Sequence, residues 1–241
     1  MRTGIILQAR CKSNRFPNKV IKKIKNRYLI ELIIERLKNI KNVPLIIATT
    51  NDKSDDKICK LSEKNKIAYF RGKMNDVLSR YYETALEYNL GTIVRCNADC
   101  PFLEKKMLGK MLKIYKKKRY DYLSNILEPS FPSGQHLEIF NFKTLEKAHK
   151  NAKQKLEREH VTPYIYKNKK IFKIGSFKQD IDLSFHRWTI DYKEDLLFVK
   201  RIFKEFNYEN TFSSKDILKL LNKKPNIMKI NYYLKKKQNL L

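Results

Sequence analysis

Glycine is scarce in this chain, with six in 241 residues. Neither the G-x-G-x-x-G fingerprint of dinucleotide-binding folds nor the G-K-[ST] end of a P-loop occurs. These absences argue against both enzyme classes, and any bound phosphate has to be held largely by side chains. The histidines form no H-E-x-x-H motif and no triad-like arrangement, which argues against a hydrolase. They are His136, His149, His160 and His186.

Long apolar runs are also missing. No stretch approaches the roughly 20 residues that cross a bilayer, and residues 5–7 are too short for the hydrophobic region of a signal peptide. The four cysteines show no C-x-x-C spacing. Cys96 and Cys100 bracket an acidic loop, but zinc needs two further soft ligands, which no His or Cys pair supplies. We expect a cytoplasmic chain with reduced thiols and no membrane insertion.

Acidic residues are few relative to basic ones: 25 Asp and Glu stand against 53 Lys and Arg, a formal charge of +28. Such an excess is typical of nucleic-acid-binding proteins. The lysines, however, are scattered along the chain and accompany no helix-turn-helix, zinc-finger or RNP signature. We therefore favour a solvated basic surface that attracts anionic substrates, with no specific nucleic-acid partner and some non-specific RNA binding at low salt.

What the first half of the chain does contain is a regular alternation of apolar strands and helices. Apolar residues recur at helical spacing over residues 29–40, and similar helical patterns separate the later strands. The alternation indicates an α/β fold, a mainly parallel sheet with helices on both faces. We predict a single domain over residues 1–241. The predicted strands of this half are 5–9, 45–48, 68–70, 92–96 and 120–124.

The pattern changes after Pro129. Residues from about 126 to 185 are predicted to form a mixed α/β insertion, with a helix near 161–166 and a strand near 172–177. The alternation resumes with a strand at 188–190, a helix at 194–206 and a last helix at about 215–221. A basic tail, residues 226–241, is expected to be loosely held.

The loop after the first strand is the first candidate for chemistry. It carries Arg10, Lys12, Arg15 and Lys19 directly behind a buried apolar strand. A basic loop between a strand and a helix is how α/β proteins build phosphate pockets. The loop therefore predicts a site for a phosphate compound.

Asp99 and Asp191 follow two other predicted strands. Ligands of open parallel sheets bind beyond the carboxyl ends of the strands, so we expect these two carboxylates to meet there. Two carboxylates facing a basic loop suit Mg²⁺ clamped between protein and nucleotide phosphates. A second interpretation stays open, because an aspartate at a strand end often caps a helix, and Lys193-Glu194-Asp195 after Asp191 resembles a helix start.

Seven segments of the chain carry a family resemblance. They are QARCKSNRFPNKV (8–20), FRGKMNDVLSRYY (70–82), RCNADCPF (95–102), DYLSN (121–125), FPSGQHLEIF (131–140), EREHVTPYIY (157–166) and RWTIDYKEDL (187–196). In this order they resemble the cytidylyltransferase family that includes the spore coat polysaccharide biosynthesis protein F group, related to acylneuraminate and 3-deoxy-manno-octulosonate cytidylyltransferases. The resemblance is specific for the family and less specific for the substrate.

This resemblance implies a glycosyltransferase-A-like nucleotidyltransferase, in which an acceptor oxygen attacks the α-phosphorus of CTP and pyrophosphate leaves. Arg10, Arg15 and Lys19 would be catalytic, because phosphoryl transfer relies on positioning and charge neutralisation. Asp99 and Asp191 would bind Mg²⁺. The nucleotide-binding residues that it implies are Gln8, Ala9, Arg10, Ser13, Arg15, Lys19, Arg71, Gly72, Asp76 and Asn97. For Asp76, a cap on the helix that starts at Val77 is at least as good an interpretation.

The resemblance also implies an acceptor site and a subunit contact. The implied acceptor-binding residues are Asn125, His136, Glu138, Arg158, Glu159 and His160. Glu159 and His160 could equally be core or interface residues. In relatives, the insertion closes the acceptor pocket and builds a dimer contact. A homodimer with CTP and a small anionic acceptor as partners is therefore expected, acting in surface polysaccharide biosynthesis.

Three positions depart from the family pattern. Asn18 and Ala98 stand where relatives usually carry glycine; asparagine tolerates a left-handed conformation, whereas a positive φ at Ala98 would cost stability. Gln135-His136 stands where relatives often carry Leu-Asp, and a histidine is better suited to an anionic group than that aspartate.

Two other functions stay open at this stage. One is nucleotidyl transfer to a phosphate or phosphonate headgroup, and the other is a glycosyltransferase-like or catalytically silent nucleotide-binding protein. The Asp99/Asp191 pair and the intact basic loop favour an active enzyme, since a silent relative is free to lose them.

Overall fold

The computed structural model describes residues 1–238, with the side chains of residues 1–235. Its strands are Arg2–Gln8 (β1), Lys23–Ile24 (β2), Arg27–Tyr28 (β3), Leu45–Thr50 (β4), Ala68–Gly72 (β5), Leu90–Asn97 (β6), Tyr122–Ser124 (β7), Glu138–Asn141 (β8) and Ile174–Ser176 (β9). Its α-helices are Leu29–Leu37 (α1), Asp56–Lys64 (α2), Val77–Glu87 (α3), Lys105–Lys118 (α4), Phe142–Asn151 (α5), Lys155–His160 (α6), Pro163–Lys167 (α7), Lys193–Glu205 (α8), Ser214–Lys223 (α9) and Tyr233–Gln238 (α10). Three short 3-10 helices span Lys19–Ile21, Lys53–Asp55 and Pro225–Ile230.

Seven strands form one sheet in the order β5-β4-β1-β6-β8-β7-β9. Strands β5, β4, β1 and β6 are parallel neighbours. Strand β8 runs antiparallel to both β6 and β7, and β9 is parallel to β7. The predicted α/β class with a mainly parallel sheet is confirmed. The insertion is continuous with this sheet, because residues 126–185 contribute β8 and β9 to it.

Helices cover both faces of the sheet because alternate residues of β1 point to opposite sides. Ile5 and Leu7 pack into one core together with apolar residues of α1, α2, α4, α8 and α9. Ile6 packs into the other core, with residues of α3, α5 and α7. Two covered faces leave the carboxyl edge of the parallel strands as the place where polar loops gather.

The strand predicted at 188–190 is wrong. Arg187 and Ser133 form only an isolated bridge, and the Trp188 amide donates to the Ser133 carbonyl over 2.7 Å. The Ile190 amide donates to the Asp99 carbonyl over 2.9 Å. This segment thus pairs with loops rather than with a sheet strand, which places Asp191 beside Asp99.

The tail is packed as far as residue 235, which corrects the expectation that it is loosely held. Ile227 and Leu234 are buried, and the Asn231 amide nitrogen donates to the Arg187 carbonyl over 3.0 Å and to Asp195 over 2.9 Å. Residues 239–241 of the predicted tail lie outside the described residues. Within residues 1–238, none of the helices has the length and apolar character needed to span a bilayer.

Candidate active site

A cavity of about 290 Å³ lies at the carboxyl edge of β1 and β6, and we call it the edge cavity. It collects residues from six separate stretches of the chain, one of them the single residue Val77. Those that the sequence singled out are Gln8, Arg10, Ser13, Arg15, Lys19, Asn97, Asp99, His136, Glu159, His160 and Asp191. The structure therefore brings most of the predicted nucleotide residues, both predicted metal ligands and half of the predicted acceptor residues to one place.

The basic loop turns sharply at Asn18, which adopts the left-handed conformation with φ 60° and ψ 20°. Its amide donates to the Cys11 carbonyl over 2.8 Å, closing the loop before the 3-10 helix that begins at Lys19. Asparagine tolerates this left-handed conformation, so the turn forms at small cost. Ala98 is buried and does not have a positive φ, so the backbone strain that a positive φ would cause there does not arise.

Asp55 holds the start of the basic loop, a role that the sequence did not reveal. Its carboxylate accepts from the Cys11 amide over 2.7 Å and from the Thr50 amide over 3.1 Å. The Thr49 hydroxyl donates to the same carboxylate over 3.0 Å. Because Asp55 is fully buried, these hydrogen bonds offset the free-energy cost of removing its carboxylate from water. The polar residues after β4 are the sequence signal that could have indicated this role, but they are equally typical of an ordinary helix start.

Lys19 joins the two predicted metal ligands. Its ammonium donates to Asp99 Oδ2 over 2.7 Å, to Asp191 Oδ1 over 2.9 Å and to the Ile190 carbonyl over 2.8 Å. Burial by itself lowers the pKa of Lys19, but the two carboxylates outweigh it and raise the pKa above its ordinary value. Lys19 is therefore charged at neutral pH.

Arg15 reaches the same group of residues from the exposed side of the loop. Its guanidinium donates to Asp191 Oδ1 over 2.7 Å, and half of its side chain stays exposed at the mouth of the edge cavity. Burial raises the pKa of Asp191, but Lys19 and Arg15 outweigh it and hold the pKa below the usual range. Lys19 and Arg15 thus flank an ionised Asp191.

Arg187 and Asp195 support Asp191 from behind, and the sequence did not identify either. The Arg187 guanidinium makes two hydrogen bonds with Asp195, of 2.8 and 2.7 Å, and lies 3.4 Å from Asp191 Oδ2. Asp195 also accepts from the Asp191 amide over 2.9 Å. The cap of α8 is Tyr192, so the helix-cap interpretation of Asp191 is wrong. The sequence signal that could have identified Arg187 is its charge directly before the apolar Trp188.

Four buried polar atoms of residues that line the edge cavity have no hydrogen-bond partner in the described part of the chain: Gln8 Oε1, Asn97 Oδ1, Arg95 Nε and Ser133 Oγ. Gln8 and Asn97 lie opposite each other at the ends of β1 and β6. Buried polar groups are normally satisfied, so unpaired ones lining a cavity mark a place where a ligand can complete the bonding. Two acceptors, one donor and one hydroxyl, which can donate or accept, are available to it.

A second cavity, of about 620 Å³, lies beside the first, and we call it the side cavity. Arg95, Asn97, His136 and His160 line both. Glu138 lies in its wall, fully buried and paired with Arg95. Burial raises the pKa of Glu138, yet the Arg95 charge and two donated hydroxyls outweigh it and lower the pKa. Two predicted acceptor residues, His136 and His160, thus face both cavities, and Glu138 faces the second.

Several predicted site residues lie outside both cavities because other contacts engage them. Arg71 donates to the Thr50 and Asp52 carbonyls over 2.9 Å each and to Asp56 over 2.7 Å, so it secures the loop after β4. Gly72 is the buried last residue of β5, where an added Cβ would lie 3.1 Å from the Arg80 side chain. Ala9 is buried in the core. These three line neither cavity.

Asp76 and Arg158 are also engaged with each other. Asp76 caps α3 by accepting from the Ser79 amide over 2.9 Å, which is the helix-cap interpretation. Arg158 donates twice to the other oxygen of Asp76, over 2.9 and 2.6 Å. The pair ties α6, which carries Glu159 and His160, to the start of α3. Both residues position the site instead of lining it.

Asn125 has a structural role as well. Its amide nitrogen donates to the Gln135 carbonyl over 2.8 Å, and its oxygen accepts from the Leu137 amide over 2.8 Å. It therefore braces the backbone on both sides of His136. With both ends of its amide used in the interior, it has nothing to offer an acceptor.

Residues 1–238 contain no group of three or more His, Cys, Asp or Glu side chains arranged to hold a metal ion. Asp99 and Asp191 nevertheless form a two-carboxylate donor set around one point, the Lys19 ammonium. Mg²⁺ is usually held by one or two protein carboxylates together with waters and substrate phosphates. The residues therefore fit a Mg²⁺ that enters with a nucleotide, provided that Lys19 leaves its present position.

Comparison with known proteins decides the family. The cytidylyltransferase family model matches residues 4–236. The chain belongs to the cytidylyltransferase family. It is therefore a nucleotidyltransferase, and the resemblance inferred from the sequence segments is confirmed.

Two curated relatives of this cytidylyltransferase match nearly the whole chain. An uncharacterised protein of Methanocaldococcus jannaschii is 37% identical over 237 residues, covering 96% of this chain and 95% of the relative. The spore coat polysaccharide biosynthesis protein SpsF of Bacillus subtilis is 25% identical over 228 residues, covering 91% and 94%.

Solved structures show the same fold. A cytidylyltransferase from Leptospira borgpetersenii superimposes with a TM-score of 0.88 at 34% identity, covering 95% of this chain and 97% of that one. A CMP:2-keto-3-deoxy-manno-octonic acid synthetase complexed with CTP superimposes with a TM-score of 0.67 at 12% identity, covering 85% and 99%. The second likeness bears on the fold alone.

Proposed function

We propose that this cytidylyltransferase family member transfers the cytidylyl group of CTP to an oxygen of a small sugar acid, giving a CMP-activated sugar acid for surface polysaccharide biosynthesis. The observation that carries the proposal is the Lys19 bridge between Asp99 and Asp191 beneath the cations of the basic loop. Two cations, Arg15 and Lys19, and two carboxylates lie together at the carboxyl edge of the parallel strands. The cations suit a bound triphosphate, and the carboxylates suit the Mg²⁺ that would accompany it.

The chemistry follows from these positions. Arg10, Arg15 and Lys19 hold and neutralise the triphosphate, while the acceptor oxygen bonds to the α-phosphorus and the bond from that phosphorus to the bridging oxygen breaks. Pyrophosphate leaves, and the acceptor hydroxyl releases its proton to solvent. Asp99 and Asp191 would hold Mg²⁺, which supplies charge neutralisation to the phosphates. The unpaired Gln8 and Asn97 oxygens accept hydrogen bonds from the bound nucleotide.

The acidic end of the acceptor has a place near the junction of the two cavities. Arg10 lines the edge cavity with only a loose contact, 3.9 Å from Glu159. Arg95 lines both cavities and keeps Nε unpaired. A carboxylate between Arg10 and the unpaired Nε of Arg95 would be held by guanidinium nitrogens, which bind carboxylates more specifically than lysines do. The homodimer and the cytoplasmic location remain predictions, the first to be tested by solution mass.

A pyrophosphate-release screen tests the proposal. The purified protein is assayed with each of the four nucleoside triphosphates, with Mg²⁺ or with EDTA, against sugar acids, polyol phosphates and phosphonates. We expect release with CTP, Mg²⁺ and a sugar acid. Release with phosphates or phosphonates only would move the function to headgroup activation. CTP binding without release from any acceptor would indicate a silent nucleotide-binding protein.

A further inference from the structure

The Lys19 ammonium occupies the point on which the Asp99 and Asp191 carboxylates converge. It donates to Asp99 over 2.7 Å, to Asp191 over 2.9 Å and to the Ile190 carbonyl over 2.8 Å. An ammonium has three N–H groups, so these three acceptors use all of them. A cation that binds to both carboxylates through the same oxygens therefore has to displace Lys19.

The other contacts of the two carboxylates leave no easier route. Asp99 Oδ1 accepts from the Cys100 thiol over 3.4 Å. Asp191 Oδ1 accepts from Arg15 over 2.7 Å as well as from Lys19, and Asp191 Oδ2 lies 3.4 Å from the Arg187 guanidinium. Each oxygen of the two carboxylates thus already has a donor from the protein.

The charges around this point are also balanced. The two carboxylates face the Lys19 ammonium and the Arg15 guanidinium. Arg187 is neutralised mainly by Asp195, because its contact with Asp195 is 2.7 Å and its contact with Asp191 is 3.4 Å. A divalent cation brought to this neutral set gains little net attraction, since the two cations offset the two carboxylates at short range.

A polyanion changes that balance. Lys19 and Arg15 both line the edge cavity, so phosphate oxygens bound there compete with the carboxylates for their N–H groups. The lysine side chain is a flexible four-carbon stem, which lets the ammonium turn toward a phosphate while the backbone stays in place. The departure of Lys19 leaves Asp99 and Asp191 with an oxygen each that a divalent cation can take.

We propose that the Lys19 ammonium excludes divalent cations from the carboxylate pair until a triphosphate draws it away, so that the free cation does not bind by itself. The proposal rests on the proposed function, which assigns Mg²⁺ to Asp99 and Asp191. It adds an order of binding: the triphosphate has to arrive before the cation or together with it, and a side chain of this chain imposes that order.

Manganese binding in the absence of nucleotide and acceptor tests the exclusion. Mn²⁺ is the probe, and its electron paramagnetic resonance signal measures the free ion during titration of the wild type and of Lys19→Met. We expect the Mn²⁺ dissociation constant of Lys19→Met to be at least about tenfold lower than that of the wild type, because a neighbouring positive charge is removed and two carboxylates are released. The double variant Lys19→Met/Asp99→Asn should lose this gain.

Lys22→Met is the matched control for the loss of one positive charge. Lys22 is three residues from Lys19, but its ammonium lies over the Phe16 ring and the residue lines neither cavity. The Mn²⁺ affinity of this variant should equal that of the wild type. The comparison separates displacement at the carboxylate pair from a general decrease in the positive charge of the protein.

The wild-type protein supplies a second measurement that does not depend on the folding of Lys19→Met. Its thermal unfolding is followed with Mn²⁺ alone, with α,β-methylene CTP in EDTA, and with both together. A ligand raises the unfolding midpoint only if it binds to the folded protein. We expect no shift with Mn²⁺ alone, a shift with the analogue, and a larger shift with both.

The outcomes distinguish this inference from the proposed function. Equal Mn²⁺ affinities for the wild type and Lys19→Met overturn the inference, and so does a gain that persists when Asp99 is replaced too. Stabilisation of the wild type by Mn²⁺ alone, as large as with the analogue present, also overturns it. None of these results affects the proposed function, which depends on pyrophosphate release from CTP. Failure of that release with every acceptor would overturn the proposed function while the Mn²⁺ titrations still report on Lys19.

Discussion

Lys19 and Asp99 are joined by a hydrogen bond of 2.7 Å between Nζ and Oδ2, although 80 positions separate them in the sequence. The two loops that carry them follow β1 and β6, which pair in parallel. The ion pair therefore pins the basic loop over the carboxyl edge of the sheet, where the triphosphate is proposed to bind. Removing either side chain leaves the other without this hydrogen bond. We therefore expect both the unfolding free energy and the catalytic rate to change.

Glu138 is expected to be a pH-sensitive support of the fold. Replacing it by glutamine leaves the Arg95 charge buried without a counter-ion, which costs about 3 kcal/mol or more of unfolding free energy at neutral pH. Since the pKa of Glu138 is below its ordinary value of 4.5 in the folded protein, its stabilisation is complete above that value and is lost as the pH falls toward the folded pKa.

Urea unfolding at about pH 7 and about pH 4 checks this expectation. The difference in unfolding free energy between the wild type and Glu138→Gln should shrink at the lower pH. Glu128→Gln is the matched control: Glu128 is exposed and bonded to Lys178, so its replacement should change the unfolding free energy far less. A difference that grows on acidification would contradict the assignment.

Asp76 and Arg158 are expected to couple in stability and not in nucleotide binding. A double-mutant cycle of Asp76→Ala and Arg158→Ala should give a coupling free energy of about 1–2 kcal/mol, because the two side chains share two hydrogen bonds. The KM for CTP should stay unchanged, since neither residue lines the edge cavity. A cycle on the exposed pair Glu146 and Lys150 should give a clearly smaller coupling free energy, because solvent screens that pair. Independent effects at Asp76 and Arg158 would show that the pair does not tie α6 to α3.

Gly134 is expected to be intolerant of any side chain. Its φ of +101° is strained for other residues, and a Cβ would lie 2.5 Å from the Thr189 amide nitrogen. Gly134→Ala should therefore lower the unfolding free energy by at least about 2 kcal/mol and displace His136. Gly109→Ala is the control, because Gly109 lies in α4 with nothing within 4 Å; there alanine should add about 1 kcal/mol. Equal midpoints for both variants in thermal unfolding would be evidence against the strained turn.

The sequence predicts the fold well because its signals are local. Apolar runs in the first half locate the parallel strands, and helical spacing locates α1 to α5 within a few residues. The hairpin of β2 and β3 and the short helix α6 were missed, since two to six residues carry too little periodicity. The false strand at 188–190 has a strand-like composition, and only its pairing with Ser133 and Asp99 shows that it lies among loops.

The candidate site likewise has features that the sequence predicts and features that it does not. The meeting of Asp99 with Asp191 was expected from the rule that strand ends share one edge of the sheet, but residues 188–190 form no strand, and Asp191 lies beside Asp99 because the Ile190 amide bonds to the Asp99 carbonyl. The Asp76–Arg158 pair and the Asp195–Arg187 support do not follow from any such rule. A sequence shows that a charged residue is present, but which distant partner consumes its hydrogen bonds depends on tertiary packing. This is why Arg158 and Asn125 were expected to contact the acceptor.

The central claim is that the carboxylates bridged by Lys19 form the reaction centre for cytidylyl transfer. Its most direct test is the rate of pyrophosphate release from CTP by Asp99→Ala, with Mg²⁺ and an acceptor that the wild type uses. Asp180→Asn serves as control, since Asp180 is exposed and outside both cavities. Lys19 retains Asp191 and the Ile190 carbonyl as partners, so the variant should fold. We predict a loss of at least about a hundredfold for Asp99→Ala and an unchanged rate for Asp180→Asn; a folded Asp99→Ala protein with the wild-type rate would contradict the account.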